Sequence, residues 1–593
     1  MGLDGVKSDA SERRDETTVR GIPALRRVTP HAVVVLLFLA CYCSTSPEYI
    51  GDTVRYVADA IGHAQGRETQ FWEFGHLLWR PWAYVGHLFA GNCYAQLFGD
   101  TPAQAVARFL IQTNFICSVM ALMLLLSILR KMVNAWIAVA VVFAMTCSAA
   151  FLDYSHSGAP YIPALLFSTI AFWLLTLAAE CPAKGRRYAF LSGVSFTLAC
   201  GLWFPYALSG LGMLAVLYRW PSRNSGEMSK VRIVRRHLIR VFLCSLAASA
   251  LPLFLAGAAA KGIGSFNQLW QWIRESDNGW QQSGRLMRAV TGLPRSAWNL
   301  GTDTILLKRW LRSDPFNPVS IYRMWAFRLA GKLTGYYLGV GAAVWVVWKE
   351  RRSALFMLVA AGLPMLLFAV ALLEPSSPER FLPVFPFAFL VFAVALGEAR
   401  RHWVASACAA IFLGGMIVSN LADGWGPTAS ARLIQTQQRI EALNGSVQPG
   451  ALVFVVTFND DLYRLPGLNP LDRTLAISRF RVTDAVVVAE TRTPDWRADF
   501  AEQTLEQWAR NGEVWISERL LAPRPESGWK WVEGDDRRIR WPELPAMFAA
   551  LEFDSKVLPG SDGFLRVARN QANRDRLLKE LGATALAHPG VAQ

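Results

Sequence analysis

The chain has 593 residues, of which 53% are hydrophobic, and its mean hydropathy is +0.25. This composition excludes an ordinary soluble enzyme and is typical of a protein that crosses a membrane several times. The formal net charge is +15, but Lys and Arg lie mostly between apolar segments, which favours a role in membrane topology over nucleic-acid binding. The nine cysteines show neither a disulfide framework nor the spacing of a zinc site.

The N-terminal part contains a polar tail and the first apolar run. Residues 1–30 are polar and end in several arginines, which predicts a cytoplasmic N-terminal tail. The apolar run at about 31–44 is short for a membrane span and becomes long enough only if it extends at both ends. A signal peptide is the alternative, but no A-x-A cleavage site follows and the charged leader is long. We therefore expect the first span here.

Ten further apolar segments predict about eleven transmembrane helices within residues 31–421. They lie near 104–129, 134–151, 160–179, 188–204, 206–219, 238–260, 329–348, 354–373, 381–397 and 404–421. The weakest boundary is the break near Pro205, because one kinked helix there would reverse the direction of every later span. With an N-terminus inside, the inner connections are all basic, as the positive-inside rule requires. They are Arg130–Lys131, Lys184–Arg187, Arg219–Arg240, Lys349–Arg352 and Arg400–Arg401.

Two of the predicted outer connections are long, at residues 46–103 and 261–328. The first is rich in aromatic residues. The second contains Phe266, Trp270 and Ile273 at helical spacing, which predicts a helix lying on the membrane surface. This second loop is also basic, which suits either anionic lipid headgroups or a phosphate-bearing ligand.

The composition changes at about residue 422, where the last apolar segment ends. Short buried strands and one amphipathic helix alternate beyond this point, which predicts an extracytoplasmic α/β domain over 422–593. The predicted strands are Ala451–Thr457, Ala485–Glu490 and Glu513–Ser517, and the predicted helix is Ala498–Arg510. Asn459-Asp460-Asp461 follows the first strand and is either part of a site at the strand end or, more simply, a turn.

The polar residues that could carry chemistry lie on the predicted outer side. Asp52 follows the first span, and Tyr56 is on the same face if this stretch is helical. A carboxylate at the membrane boundary can act as a base on a lipid-borne substrate, although a solvated helix cap is the simpler interpretation. Acids, an arginine and a histidine at one depth are costly near hydrocarbon unless they are paired or used. The other candidates are Glu73, His76, Arg80, Asp153, His156, Glu379 and Arg380.

These motifs resemble those of the C-type (GT-C fold) integral-membrane glycosyltransferases, such as protein O-mannosyltransferases and lipid A aminoarabinose transferases. Asp52 and Tyr56 match the Asp-Glu-x-x-Tyr motif that follows the first span in those families, but Thr53 replaces the Glu. Trp79-Arg80-Pro81 is a loose counterpart of their Lys-Pro-Pro-Leu motif. Glu379–Pro383 resembles their Arg/Tyr/Leu/Pro motif before a late span. The resemblance covers roughly residues 30–420.

The resemblance implies transfer of a sugar from a polyprenyl-phosphate carrier to a lipid, polysaccharide or protein acceptor. It also implies a multi-pass protein of the inner or plasma membrane that contacts membrane lipids and no nucleic acid. The chemistry agrees, because a hydroxyl nucleophile needs a base, for which Asp52 serves, and a single direct attack inverts the anomeric centre. The departing phosphate needs a cation, and the guanidinium of Arg380 binds phosphate bidentately.

Further expected donor contacts are Arg80, Tyr56, His76, His156 and Glu379. Whether a divalent cation takes part is left open, with Asp153 as the candidate ligand. One alternative function is a transporter or flippase of lipid-linked sugars, which should carry ionisable residues at mid-membrane. The other alternative is a non-catalytic assembly subunit.

Overall fold

The computed structural model describes a helical membrane part and a small C-terminal α/β domain. The residues it describes are 22–45, 52–66, 69–98, 102–221, 228–275, 285–300, 328–371, 377–425, 445–455, 481–484, 496–521, 543–557 and 563–587. The predicted fold class is confirmed, since a polytopic all-α part precedes a C-terminal domain that contains a sheet.

The described helices of the membrane part follow one another with short connections. They are α1 (Ile22–Ser44), α2 (Thr53–Ala64), α3 (Trp79–Phe98), α4 (Pro102–Leu129), α5 (Ala135–Thr146), α6 (Ala149–Ser155), α7 (Tyr161–Glu180), α8 (Pro182–Leu202), α9 (Gly210–Arg219), α10 (Met228–Ala260), α11 (Phe266–Glu275), α12 (Arg285–Ala297), α13 (Arg328–Glu350), α14 (Arg352–Ala371), α15 (Phe385–Gly397) and α16 (Trp403–Trp425). The 3₁₀ segments among them are Phe74–His76, Phe204–Ser209 and Pro378–Val384.

Fewer helices meet a strict test for a membrane span than the sequence predicts. Six described helices are long and apolar enough, and a seventh is counted if α5 and α6, which are bent by 68°, form one span. The six are α4, α7, α10, α14, α15 with its preceding 3₁₀ turn, and α16. The predicted span 134–151 is thus broken. The remaining predicted segments correspond to α1, α8, α9 and α13, which are short or carry charged residues near their ends.

The helix breaks near Pro205, as predicted, and the chain reverses there. Glu180 ends α7, and α8 begins two residues later. Trp220, which directly follows α9, donates its indole N–H to the Glu180 carboxylate at 3.0 Å. The chain therefore leaves this end of the bundle in α8 and returns to it in α9, so the break separates two passes of opposite direction.

The predicted basic connections gather at this same end of the bundle. Gly397 lies so close to Val133 that a Cβ atom added at Gly397 would be 2.9 Å from the Val133 side chain. The end of α15 therefore lies against the turn after α4. Other contacts between the connections are Lys131–Glu180 (3.0 Å), Arg235–Trp220 O (2.7 Å), Arg351–Glu398 (3.8 Å) and Arg401–Glu350 (2.8 Å). This is the arrangement that the positive-inside rule requires of cytoplasmic connections.

The two long segments predicted as outer loops are largely helical where the structure describes them. Residues 46–103 contain α2, a 3₁₀ turn and α3, and residues 261–328 contain α11 and α12. The helical spacing predicted in the second segment is confirmed by α11. This helix buries Trp272 and exposes Phe266 and Trp270, whose exposed fractions are 77% and 54%.

The C-terminal domain contains a five-stranded mixed sheet among the described residues, in the order β2-β1-β3-β5-β4. β1 is parallel to β2 and β3, whereas β5 is antiparallel to β3 and β4. Phe454, Phe500, Ile516 and Phe548 form part of its buried core. The elements are β1 (Leu452–Val455), β2 (Arg481–Asp484), α17 (Trp496–Ala509), β3 (Val514–Ser517), α18 (Glu543–Ala549), β4 (Phe553–Val557), β5 (Phe564–Val567) and α19 (Gln571–Ala587).

The predicted first and third strands and the helix between them are confirmed by β1, β3 and α17. The predicted strand 485–490 and the Asn459-Asp460-Asp461 turn lie outside the described residues, and β2 lies just before the former. β4 and β5 were not predicted, because the polar Ser555 occupies the middle position on the more buried face of β4 and because β5 has only four residues.

We predict that the N-terminus is cytoplasmic and that residues 422–593 are extracytoplasmic, because the basic connections share one end of the bundle. An alkaline phosphatase fused after Gln593 should be active. A fluorescent protein fused at the same position and exported by the general secretory route should not fluoresce. The same reporters inserted in the Lys184–Arg187 connection should give the opposite pattern. A Gln593 fusion that works only in the cytoplasm would contradict this topology.

Candidate active site

Asp52 is held at the start of α2 by its neighbour Thr53, which is fully buried. The hydroxyl of Thr53 accepts a hydrogen bond from the backbone N–H of Gly158 at 2.8 Å. A Cβ at position 158 would come within 2.6 Å of the Thr53 methyl group, so this close approach requires glycine. Asn114 on α4 holds the same turn by donating to the carbonyl oxygen of Ala159 at 2.8 Å. The backbone of Asp52 is therefore tied to the bundle.

The carboxylate of Asp52 makes no hydrogen bond that caps α2, although Asp52 occupies the capping position. It is half-buried, and its charge acts on the hydroxyls of Tyr56 and Tyr161. Burial raises the pKa of Tyr56 well above its usual value, and the charge of Asp52 adds to this effect. The Tyr56 hydroxyl therefore stays protonated beside the carboxylate.

A buried chain of polar side chains runs from Tyr56 to Asp59, and we call it the Arg80 cluster. The Tyr56 hydroxyl lies 3.4 Å from Nε2 of His76, whose Nδ1 lies 3.4 Å from Oε2 of Glu73. Arg80 donates to that Glu73 oxygen through Nη1 and to Oδ2 of Asp59 through Nε, the latter at 2.6 Å. The exposed fractions of Arg80, Glu73 and His76 are 0%, 6% and 9%.

The ions of the Arg80 cluster hold each other in their charged forms. Burial alone raises the pKa of Glu73, but the hydrogen bond from His76 and the charges of His76 and Arg80 outweigh it and hold that pKa well below its usual range. Burial lowers the pKa of Arg80, but the charges of Glu73 and Asp59 and the hydrogen bond to Asp59 raise it overall. Each buried charge is therefore compensated by a partner.

The 3₁₀ turn that carries His76 is fixed by the helices behind it. The backbone N–H of Leu78 donates to the carbonyl oxygen of Gly201 on α8 at 2.9 Å. The Phe74 ring lies 5.5 Å from that of Trp272 on α11. Trp272 in turn donates its indole N–H to the backbone carbonyl of Trp72 at 2.6 Å. The amphipathic helix α11 thus supports the segment that carries Glu73 and His76.

Glu379 and Arg380 form a second buried group at the start of the 3₁₀ turn before α15. The hydroxyl of Tyr154 on α6 donates to Oε2 of Glu379 at 2.6 Å. Arg380 Nε lies 3.7 Å from Oε1 of Glu379, and its guanidinium carbon lies 5.7 Å from the centre of the Trp203 ring. With exposed fractions of 6% and 9%, the two residues are not the surface ion pair that the simpler interpretation requires.

Tyr161 lies where Asp52 and the second group meet. Its ring centre is 4.7 Å from that of Tyr154 and 4.8 Å from that of Trp203. The charges of Asp52, Glu379 and Arg380 all act on its hydroxyl. Asp52 and Arg380, which are far apart in sequence, therefore come together round one tyrosine at the end of the bundle opposite the basic connections.

The sequence analysis did not single out Tyr154, Tyr161 or Trp203. The sequence does contain an indication of them, because each is an aromatic residue with a polar tip at the end of a span and beside a polar turn. Only the fold shows that these three side chains face Glu379 and Arg380.

Two predicted phosphate contacts have different surroundings in the structure. His156 stacks on Tyr42 with ring centres 3.9 Å apart, and its Nε2 lies 3.3 Å from the Thr45 hydroxyl. Burial lowers the pKa of His156 to about 4, so the ring is neutral at neutral pH and offers a phosphate no positive charge. Arg80 is enclosed by Glu73 and Asp59. The donor contacts of His156 and Arg80 therefore stay predictions, and His156 would make such a contact as a neutral ring.

The structure was also tested for a metal site. Asp153, the candidate ligand, is a half-buried residue of α6. Within the described part of the chain, no three His, Cys, Asp or Glu side chains are placed to hold a metal ion together. The role of Asp153 as a metal ligand stays a prediction, and the chemistry proposed below uses the side chains alone.

No family model and no curated protein matches the sequence. Its structure is similar to that of ArnT from Cupriavidus metallidurans bound to undecaprenyl phosphate, with 12% identity, a TM-score of 0.49 and coverage of 92% of this chain and 99% of that one. It is also similar to the oligosaccharyltransferase AglB from Archaeoglobus fulgidus in complex with an inhibitory peptide and a dolichol-phosphate, with 13% identity, a TM-score of 0.43 and coverage of 92% and 75%. Both are GT-C glycosyltransferases, the class that the motifs resemble. At this identity the likeness concerns the fold alone.

We predict that Arg80→Leu lowers the free energy of unfolding by about 3–5 kcal/mol, because it leaves the buried Glu73 carboxylate without its cation. Unfolding of the purified protein in mixed detergent micelles measures this. Arg401→Leu is the matched control, since it removes an Arg–Glu pair whose arginine side chain is 69% exposed and should leave the free energy of unfolding nearly unchanged. Equal losses in the two variants would contradict the structural role of the Arg80 cluster.

Proposed function

We propose that the chain is an inverting glycosyltransferase that moves a sugar from a polyprenyl-phosphate carrier to an acceptor on the outer face of the membrane. The observation that carries this proposal is that Asp52 and Arg380 both lie near the start of α7. Thr53, next to Asp52, bonds Gly158 of the turn before this helix, and Arg380 lies over Trp203, whose ring packs on that of Tyr161. A carboxylate without a capping bond and a buried guanidinium at the membrane boundary are the two groups that such a transfer requires.

Asp52 serves as the general base in the proposed reaction. The acceptor hydroxyl attacks the anomeric carbon of the sugar while the Asp52 carboxylate takes its proton. A new carbon–oxygen bond forms on the face opposite the phosphate, and the bond from the anomeric carbon to the phosphate oxygen breaks. The anomeric configuration is therefore inverted, and Asp52 afterwards releases its proton to solvent.

Arg380 serves as the cation that stabilises the leaving group. The electron pair of the broken bond goes to the phosphate oxygen, so polyprenyl phosphate departs with one more negative charge. A guanidinium matches this group because its donors form a planar fork. Glu379 and Trp203 hold Arg380 from the protein side, and the Tyr154 hydroxyl fixes Glu379. We assign Glu379 and Tyr154 as residues that position Arg380.

Tyr56 and the Arg80 cluster support the same site. The protonated hydroxyl of Tyr56 lies within electrostatic reach of Asp52, so it is suited to donate a hydrogen bond to the substrate. His76 lies 3.4 Å from that hydroxyl, and Glu73 and Arg80 hold His76 in place. We therefore assign Tyr56 as a donor contact, and His76 and Arg80 as positioning residues.

Asp52→Asn keeps the size of the side chain but cannot accept a proton. We expect it to fold and bind the lipid donor, and to lose about 10²–10⁴-fold in transfer rate. The assay follows release of free polyprenyl phosphate from a polyprenyl-phosphate sugar in the presence of an acceptor extract. Asp153→Asn, a change to another acid on the same side, should retain transfer.

Two results would count against Asp52 as the base. A wild type that turns over beside an equally fast Asp52→Asn variant would reject the assignment and move the base to Asp153. If Asp52 serves only as a helix cap, Asp52→Asn should leave both stability and activity nearly unchanged, because asparagine caps a helix as well as aspartate does. A transporter of lipid-linked sugar would move the lipid and give no transfer product with either protein.

Arg380→Ala should reduce transfer by about 10²–10³-fold, the effect expected for loss of a donor that stabilises developing charge. Arg380→Lys should restore transfer only in part, because an ammonium keeps the charge but not the planar fork. Kinetics with varied donor concentration separate donor binding from turnover. Arg274→Ala, which removes an exposed arginine of α11, is the control and should leave both unchanged. Unaltered donor kinetics in Arg380→Ala would remove Arg380 from the site.

A further inference from the structure

A cavity of about 370 Å³ opens at the end of the bundle that carries the basic connections. Its wall is formed by the turn between α4 and α5, the turn before α14 and the end of α15. Asn114, which holds the Gly158 turn beside Asp52, precedes Arg130 of the cavity wall by 16 residues, or about 24 Å along a helix axis. The cavity is therefore remote from the candidate active site, and the proposed reaction does not use it.

Exposed tryptophans indicate the depth of the cavity. Trp136, Trp348 and Trp403 lie within a few residues of its wall, and their exposed fractions are 58%, 53% and 72%. Tryptophan is enriched at the boundary between membrane and water, where its ring lies at the level of the lipid headgroups. A cavity at this depth is open to lipid headgroups.

The polar part of the wall is positively charged. Arg130, Lys131 and Arg351 line it, with Glu398 as the acid among the lining residues. Lys131 pairs with Glu180 at 3.0 Å, whereas Arg351 approaches Glu398 only at 3.8 Å, and half of its side chain is exposed. Three of these four charged lining residues are basic, which favours an anion in the cavity.

The rest of the wall favours a lipid over a soluble anion. Asn134 caps α5 by accepting from the backbone N–H of Trp136 at 2.9 Å, so the positive end of this helix dipole also lies at the cavity. Met132, Ile137 and Val394 form an apolar wall beside these polar groups. A phosphate next to an apolar surface at headgroup depth is the arrangement of a phospholipid.

We propose that this cavity binds the phosphate of an anionic phospholipid between Arg130 and Arg351, with the acyl chains extending from the cavity into the membrane. Basic cavities between transmembrane helices on the cytoplasmic side are suited to such headgroups. A lipid bound here bridges the turn after α4 and the turn before α14, so it stabilises the bundle at the end remote from the candidate active site.

The test uses the purified full-length protein, delipidated in detergent, with phosphatidylglycerol, phosphatidylethanolamine or glycerol 3-phosphate added. Phosphatidylglycerol should raise the melting temperature, and the other two should not. The double variant Arg130→Gln/Arg351→Gln should lower the apparent affinity for phosphatidylglycerol at least tenfold. Arg186→Gln/Arg187→Gln, which changes two exposed arginines of the same end outside the cavity wall, should keep the wild-type response.

Four outcomes would overturn the proposal. An equal response to phosphatidylethanolamine, or an equal loss in the Arg186/Arg187 control, would indicate a general surface effect. Stabilisation by glycerol 3-phosphate would indicate a site for a soluble anion. A photoreactive phosphatidylglycerol should label wild-type peptides that contain residues 130–137 and 394–398, and labelling confined to other segments would reject the site even if the variants fail to fold.

Discussion

The buried ion pair between Arg80 and Glu73 is the interaction on which the outer end of the bundle depends. Removing two ions from water beside a membrane costs several kcal/mol for each, and only close pairing compensates for this. The pair joins α3 to the 3₁₀ turn, and Asp59 extends it to α2. His76 on that turn contacts Tyr56 on α2. The same cluster therefore positions the Tyr56 hydroxyl, which lies near Asp52. The charges of the Arg80 cluster thus build the site, while Asp52 and Arg380 remain for the proposed chemistry.

Tyr161 separates the two charges that the proposed reaction needs. A carboxylate in direct contact with an arginine is a weaker base, because the neighbouring cation stabilises its ionised form. Among the described residues no ion pair joins Asp52 to an arginine, and both Asp52 and Arg380 act on the hydroxyl of Tyr161. Tyr154 and Glu379 hold Arg380 from the other side. The base and the cation of the proposed reaction therefore lie near one aromatic residue without pairing with each other.

Local sequence patterns predicted the features that depend on hydropathy, charge and proline. They indicated the apolar segments, the reversal near Pro205 and the basic end of the bundle, because each is encoded in a short stretch of chain. They could not indicate that Arg80 pairs with Asp59, since this depends on how α2 packs against α3. The bond from Tyr154 to Glu379 joins residues 225 positions apart and has no local signal. For the same reason the sequence could not show that His156 packs against Tyr42 as a buried, neutral ring.

The two ends of the bundle use positive charge in different ways, and burial decides which. At the outer end Arg80 and Arg380 have exposed fractions of 0% and 9% and lie against carboxylates and aromatic rings. At the other end the side chains of Arg351 and Arg401 are 50% and 69% exposed beside exposed tryptophans. Exposed cations at headgroup depth interact with lipid and orient the chain, whereas buried cations in a fixed geometry can recognise one phosphate at one position. α4 extends from one end of the bundle to the other. At the outer end it holds the Gly158 turn beside Asp52, and at the other end it leads into the turn that lines the basic cavity.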